Sequence, residues 1–359
     1  NELEVEHKNF NGIKKIIPSY NSKFSLKDTQ VNLDQKNNLN LIGLIKFDKE
    51  FEEFSLKYTD IGNKNFNING KIGLNDLSLK IPNLNYDKKK YTKANLDFFI
   101  KSFKSGYYIN NFVYTSEKTK ISLDKIKLSK KLQIEDILKI EVKTFFNGIK
   151  NNDFKIRKLD KKNIIIQGEL FDAEPLLKTL YKTDDKKVLS KNFTYDIKIN
   201  LDKATTGTND DVANFSMIAS IKKGSYNKLS LKGNFSKNEI IEMSIYQIDG
   251  NKRTFQIISD RARPFIKNFN FIKGFEGGKL EYESTISKEI TNSNLLITDF
   301  KVSKVPALAQ LLTLASLQGI ADTLSGEGIR FESFEMKSNT EGNILNIEDA
   351  LAMGPAVSI

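Results

Sequence analysis

The stretch Phe193-Thr194-Tyr195-Asp196-Ile197-Lys198-Ile199-Asn200-Leu201 alternates without a break between apolar and polar side chains. On an extended strand successive side chains point to opposite faces. Phe193, Tyr195, Ile197, Ile199 and Leu201 therefore share one face, and Thr194, Asp196, Lys198 and Asn200 the other. A helix with this order would scatter the apolar residues round its circumference and bury none of them together. The segment is a strand with one oily side and one wet side.

The same period recurs outward in both directions. Phe66, Ile68, Gly70, Ile72 and Leu74 form one such set, and Ala94, Leu96, Phe98 and Ile100 another. Ile164, Ile166, Gly168 and Leu170 follow, then Phe215, Met217, Ala219 and Ile221, then Leu229, Leu231, Gly233 and Phe235. Turn residues separate the runs, among them Gly62-Asn63, Asn75-Asp76, Asp249-Gly250 and Gly277-Gly278. About twenty runs of this kind make the chain all-β, with half-buried antiparallel strands. A sheet with one apolar face has to close into a barrel, fold onto itself or curl into a trough.

Two short helices are expected to interrupt the strands. Asp172 is placed to cap one that carries Pro175, with Leu176, Leu177, Leu180 and Tyr181 along one side. The other follows Ser259 or Asp260 and presents Ala262, Phe265, Ile266 and Phe269 at helical spacing. The loop from Lys203 to Asp211 looks flexible.

One segment breaks the alternation altogether. Between Lys304 and Asp322 there is no charge, and Leu308, Leu311, Leu312, Leu314, Leu317, Ile320 and Leu324 cover most of a helix over 306–324. Pro306 suits its first turn and Ser325-Gly326 its end. Its uncharged part is roughly 26 Å long, short of the ~30 Å hydrocarbon core of a bilayer. A plug or an interfacial helix is expected rather than a membrane span.

Composition excludes several chemistries. The 359 residues include no cysteine and a single histidine, His7, which removes disulfides, thiol nucleophiles and nearly every histidine-based mechanism. No phosphate loop is present; Gly326-Glu327-Gly328 terminates a helix rather than opening one. Glu281 and Glu283 lie two apart on one strand face, where solvated residues belong. The net charge of +11 comes mostly from lysine. The best basic patches are Asp87-Lys88-Lys89-Lys90-Tyr91 and 127–131, and both suit solvated hairpin tips better than a nucleic-acid face with interleaved aromatics. No catalytic residue, metal or cofactor is expected. Opening on Asn1 and closing mid-pattern at Ile359, the chain reads as a piece of a longer protein, so absent targeting signals carry no weight.

The stretch from Phe300 to Phe331, including Pro306-Ala307-Leu308-Ala309-Gln310-Leu311-Leu312 and Ile320-Ala321-Asp322-Thr323-Leu324-Ser325-Gly326-Glu327-Gly328, resembles the C-terminal signature of bacterial AsmA-like proteins, in particular the YhdP-like group. Gly168-Glu169-Leu170-Phe171-Asp172-Ala173-Glu174-Pro175 and the region from Ser259 to Leu280 match more weakly. Arg261 and Arg263 depart from the small turn common in those relatives. The resemblance covers roughly 160–359. It implies an AsmA-like C-terminal region at 161–359, and at 1–160 a β-rich middle region continuing the same groove.

Its further implications are an elongated, curled antiparallel sheet forming a hydrophobic groove, periplasmic, and anchored to the inner membrane by a segment absent from this chain. The function it implies is transfer of phospholipid or another acyl lipid between bacterial membranes, with envelope proteins as further partners and no nucleic acid. Phe66, Ile68, Ile72, Leu74, Phe193, Tyr195, Ile197, Ile199, Leu201, Leu229, Leu231 and Phe235 are then the candidate groove lining. The alternatives are a structural envelope module with a fully packed β core and, third, a single-stranded nucleic-acid binder.

Overall fold

The computed structural model describes residues 2–6, 16–18, 23–35, 38–179, 189–249, 252–266, 273–287, 290–304, 328–342 and 344–355. The molecule is all-β and antiparallel, and its chain divides into two compact units. The first comprises 1–175, 186–195 and 223–225; the second comprises 176–185, 196–222 and 226–359.

The first unit begins with β1 (Glu2–Glu6), β2 (Lys23–Leu33), β3 (Leu39–Lys46), β4 (Glu52–Gly62) and β5 (Asn65–Gly73). An insert follows, made of β6 (Leu79–Ile81), a 3-10 turn at Pro82–Leu84 and β7 (Tyr86–Lys88). Then come β8 (Ala94–Phe103), β9 (Gly106–Ser116), β10 (Thr119–Ser129), β11 (Ile134–Phe146), β12 (Ile149–Lys158) and β13 (Asn163–Asp172). Each of these strands pairs with its neighbour in sequence, except that β5 skips the insert and pairs with β8. Tight hairpins set the registers. Asn147 and Gly148 both have positive φ, the conformation a two-residue hairpin needs between right-twisted strands.

The insert explains where the first core lies. β6 and β7 form a ribbon of their own. Leu77, Leu79 and Tyr86 pack with Leu74, Ala94, Tyr114 and Ile121. Burial pushes the Tyr114 phenol up, and its hydroxyl meets that of Tyr86 at 2.8 Å. A buried amide network pins the other end of the insert. Asn152 donates to Leu84 O and Thr144 Oγ1, Asn151 donates to Leu84 O and Asn85 O, and Asn85 donates to Asp172 Oδ2. Buried amides left unpaired would cost about 1–3 kcal/mol each, so this set holds the insert down as a unit.

Lys88 departs from the expectation of a solvated basic tip. Alternate residues of β7 face the core, so its ammonium is buried and donates to the carbonyls of Asn75, Leu77 and Lys89. Burial pushes its pKa down. Lys90 pairs with Asp48, and Lys127 with Glu135 at 3.2 Å. Lys89, Lys130 and Lys131 are the exposed lysines of the two runs.

After β13 comes α1 (Glu174–Thr179); Asp172 accepts from the Glu174 N–H and caps it as expected. The second unit carries β14 (Tyr195–Thr205) from Asp196 onward, β15 (Val212–Lys222), β16 (Ser225–Ser236), β17 (Glu239–Asp249) and β18 (Lys252–Ser259). It continues with α2 (Arg263–Ile266), β19 (Lys273–Ser287), β20 (Ile290–Lys304), β21 (Ile329–Glu341) and β22 (Ile344–Met353). Strands β16 to β22 pair in succession. Ala262, Phe265 and Ile266 are buried against Leu280, Ile297 and Phe300, as the spacing predicts.

Two sequence expectations are corrected in this unit. Gly277-Gly278 is not a turn but a kink inside β19: Gly277 pairs with Phe300 and Lys279 with Thr298, leaving Gly278 and Asp299 unpaired, each with positive φ. The chain entering α2 meets this kink, and Ala262 N–H, one residue ahead of the helix, donates to Gly278 O at 2.7 Å. The loop ending at Asp211 is not free either. Thr206 and Asp210 are buried, and Arg261 and Arg263 both donate to Asp210.

Candidate functional site

Register turns the period-two pattern into rows that cross the strands, and the rows are the candidate site. In the first unit Val31, Leu41, Leu56, Gly70, Phe98, Phe112, Leu123, Ile140, Ile156 and Ile166 stand opposite one another in turn, on ten successive strands. No polar side chain interrupts them. From Leu41 to Ile166 every side-chain-bearing member is half-buried rather than sealed.

The flanking rows differ in their cover. On one side lie Phe54, Ile72, Leu96, Tyr114, Ile121, Val142 and Phe154. Phe54, Tyr114, Ile121, Val142 and Phe154 are buried, Tyr114 and Ile121 within the core that the insert completes. On the other side Tyr58, Ile68, Ile100 and Ile109 are half-buried, and the row ends on Ile126 and Ile137, which are buried. Irregularities keep them aligned: the pairing skips Asn110, and Lys125 takes positive φ. The opposite face is charged, with Lys71 paired to Asp97 and Glu141 to both Lys139 and Lys155.

The second unit shows the same construction with a gradient along the strands. Gly233, Ile241, Ser259, Leu280, Ile297 and Phe334 form a row largely sealed in the core beside α2. Two residues further along, Leu231, Met243, Ile257, Tyr282, Leu295 and Met336 follow, with Met243, Tyr282, Leu295 and Met336 half-buried. The next row is Leu229, Ile245, Phe255, Ser284, Ser293 and Ser338. The one after that is polar except for Ile286: Gln247, Arg253, Ile286, Thr291 and Thr340. On the opposite, polar face of the same strands a pocket of about 370 Å³ is bordered by Gln256, Glu281, Glu283, Asn294, Glu335 and Lys337. Glu283 accepts a hydrogen bond from Gln256 there.

The residues singled out from the sequence fall into two groups. Ile68, Ile197, Ile199, Leu229 and Phe235 are half-buried, as is Phe66, whose ring stacks on Tyr58 with centroids 5.7 Å apart. Leu74, Phe193, Leu201 and Leu231 are packed core, and Ile72 is half-buried against the core of the first unit. Tyr195 is also packed, and its hydroxyl donates to Asp136 Oδ1 at 2.6 Å and accepts from Lys158 Nζ at 2.9 Å. Burial opposes ionisation of Asp136, but hydrogen bonds from Lys158 and Tyr195 outweigh it and hold the carboxyl below its usual range. Leu308, Leu311, Leu312, Leu314, Leu317, Ile320 and Leu324 lie outside the described residues, as do Leu180, Tyr181 and Phe269.

Sequence reasoning missed the long row through Phe112, Leu123, Ile140 and Ile156. Alternation in 106–158 was its only signal, and facing partners cannot be assigned without register. Among the described residues no cluster of His, Cys, Asp and Glu is arranged to hold a metal, and no helix is long and apolar enough to cross a membrane. The chain matches no known protein family, no curated protein and no solved structure.

Proposed function

We propose that the half-buried apolar rows shield the acyl chains of a phospholipid or similar lipid, and that this chain is a lipid-transfer segment of a bacterial envelope protein. One observation carries the reading: the row from Leu41 to Ile166, uninterrupted by polar side chains and half-covered throughout, beside a row that is covered. A folded protein normally buries such residues or scatters them singly, and a contiguous exposed apolar strip marks a binding surface. A sixteen-carbon tail kept from water is stabilised by on the order of 13 kcal/mol, at ~0.8 kcal/mol per methylene. Neighbouring positions along a uniform row differ little in energy, so a lipid moves along it without returning to water. No covalent step, cofactor or metal is needed. The envelope setting rests on the resemblance to AsmA-like proteins.

A second reading is a structural envelope module. The buried rows through Ile121 and Ile297 favour it, because part of each apolar face is ordinary core. Native mass spectrometry of protein purified without detergent decides between them. Co-purifying phospholipid supports transfer; a clean unliganded mass, with no lipid taken up from vesicles, refutes it.

A further inference from the structure

Two hairpin tips of the first unit carry residues that folding alone does not call for. The β10–β11 turn runs Ser129-Lys130-Lys131-Leu132-Gln133 and is closed by Ser129 N–H to Gln133 O and Leu132 N–H to Ser129 O, both at 2.9 Å. Leu132 holds the left-handed conformation, φ +58°, and is 67 % exposed. Glycine or asparagine suits such a place, and a leucine there is strained as well as wetted. The β12–β13 turn carries Leu159, 62 % exposed, ahead of Asp160, Lys161 and Lys162. Lys158, at the end of β12, holds Asp136, near the start of β11, at 2.8 Å, so the two tips rise from one place on the rim.

Charge at this rim does not balance. Glu135 and Asp136, the carboxylates at the base of the first tip, are held by Lys127 and Lys158. Asp160 is turned onto its own loop, where it accepts from the Lys162 and Asn163 N–H groups. Lys130, Lys131, Lys161 and Lys162 are exposed and make no ion pair with any described residue. The β11–β12 turn is different: its exposed Ile149 stands beside Lys150, which Asp153 and Glu169 neutralise. Lysines without counter-ions, next to apolar side chains that stand off the surface, match anionic headgroups over hydrocarbon. Nucleic acid would leave both leucines in water, because its bases stack on aromatic rings.

We propose that these two tips seat the first unit on an anionic lipid surface, with Leu132 and Leu159 entering the headgroup layer and the four lysines on its phosphates. The strain at Leu132 is then offset when the side chain leaves water, and the unpaired charges find their counter-ions on the same surface. Docking of this kind does not depend on lipid being carried; a structural envelope module would use it equally.

The test is flotation of the whole chain with phosphatidylcholine vesicles, with and without phosphatidylglycerol. Wild type is expected to float only with phosphatidylglycerol present, and less as salt rises. The variant K130Q/K131Q/K161Q/K162Q should lose affinity on the order of a hundredfold, from about fivefold per lysine. A control of equal charge, K49Q/K89Q/K93Q/K118Q, removes exposed lysines elsewhere in the unit and should stay within about twofold of wild type. L132N/L159N should melt no lower than wild type, since asparagine suits the left-handed turn, yet bind on the order of tenfold more weakly. Wild type that ignores phosphatidylglycerol overturns the docking surface. Equal losses in the two lysine variants overturn it too, because net charge is then at work rather than this rim. Undiminished binding by L132N/L159N also overturns it, since the tips then do not enter the lipid. None of these outcomes bears on lipid shielding, which is read from phospholipid co-purifying with the chain.

Discussion

Arg261 Nη1 donates to Asp210 Oδ1 at 2.8 Å, across 51 residues of sequence. The same guanidinium reaches Glu239 Oε2 at 2.6 Å through Nη2 and lies over the Phe235 ring at 5.6 Å. Arg263 Nε donates to Asp210 Oδ2 at 2.7 Å. Arg261, two residues ahead of α2, and Arg263, its first residue, thus tie the β14–β15 loop, the start of β17 and the entry to α2 into one charge cluster.

Asp210→Asn leaves two guanidinium groups short of their carboxylate, one of which keeps Glu239. The expected loss is about 1–3 kcal/mol, read as a lower denaturant midpoint at neutral pH. Burial opposes ionisation of Asp210, yet the hydrogen bonds from Arg263 and Arg261 hold its folded pKa below the ordinary value. Its stabilisation is therefore full above about pH 4 and disappears as pH falls through the lowered folded value. The variant should show a flatter acid limb than wild type; parallel limbs would rule the linkage out.

Gly278→Ala tests the kink in β19. The position has φ +82°, and an added Cβ would meet the Phe275 ring and Phe300 Cβ at 3.1 Å and Ala262 Cβ at 3.3 Å. Strained backbone and a crowded α2 contact together are expected to cost about 1–3 kcal/mol. Equilibrium unfolding of the variant measures it.

Ile140 and Val142 sit two residues apart on one face of β11, the first half-buried and the second sealed. Ile140→Asp should leave the melting temperature within a few degrees of wild type and abolish lipid capture. Val142→Asp buries an unpaired charge and should unfold the first unit. Similar behaviour of the two variants in circular dichroism would show that the Ile140 row is core as well.

Tyr195→Phe removes a hydroxyl that donates to Asp136 and accepts from Lys158. Asp136 keeps Lys158 at 2.8 Å, so a moderate loss of about 1–2 kcal/mol is expected. Without that donor the folded pKa of Asp136 rises towards the ordinary value. The stability difference between neutral and acid pH, set by a lowered pKa and lost on acidification, should shrink accordingly. Urea titrations at pH 7 and pH 3 give both numbers.

Alternation was enough to recognise the strands, because period two is a property of each segment by itself. Phe66 to Gly73 and Tyr195 to Leu201 form the strands their spacing predicts, while Leu74 and Phe193 fall just outside them. What it could not supply was cover. Leu229 and Leu231 share a face of β16, yet one is half-buried and the other packed, because Leu231 lies within the core beside α2 and Leu229 only packs against its edge. Lys88 defeats composition for a related reason, since nothing local announces that three carbonyls converge on its ammonium. The kink at Gly278 looked like a turn because glycine pairs serve both purposes. Facing residues such as Ile140 and Ile156 became visible only through register.

The run of like positions from Val31 to Ile166 has an arithmetic consequence. Ten strands at ~4.8 Å spacing set out a strip of about 40 Å, more than twice the ~15 Å reach of one acyl chain. A cup-shaped carrier holds one molecule and must empty before it reloads. On the proposed lipid-shielding reading a strip holds a queue, in which each arrival displaces the molecule ahead. Flux through such a protein then follows the supply at its loading end, and saturation titrations should return a stoichiometry above one.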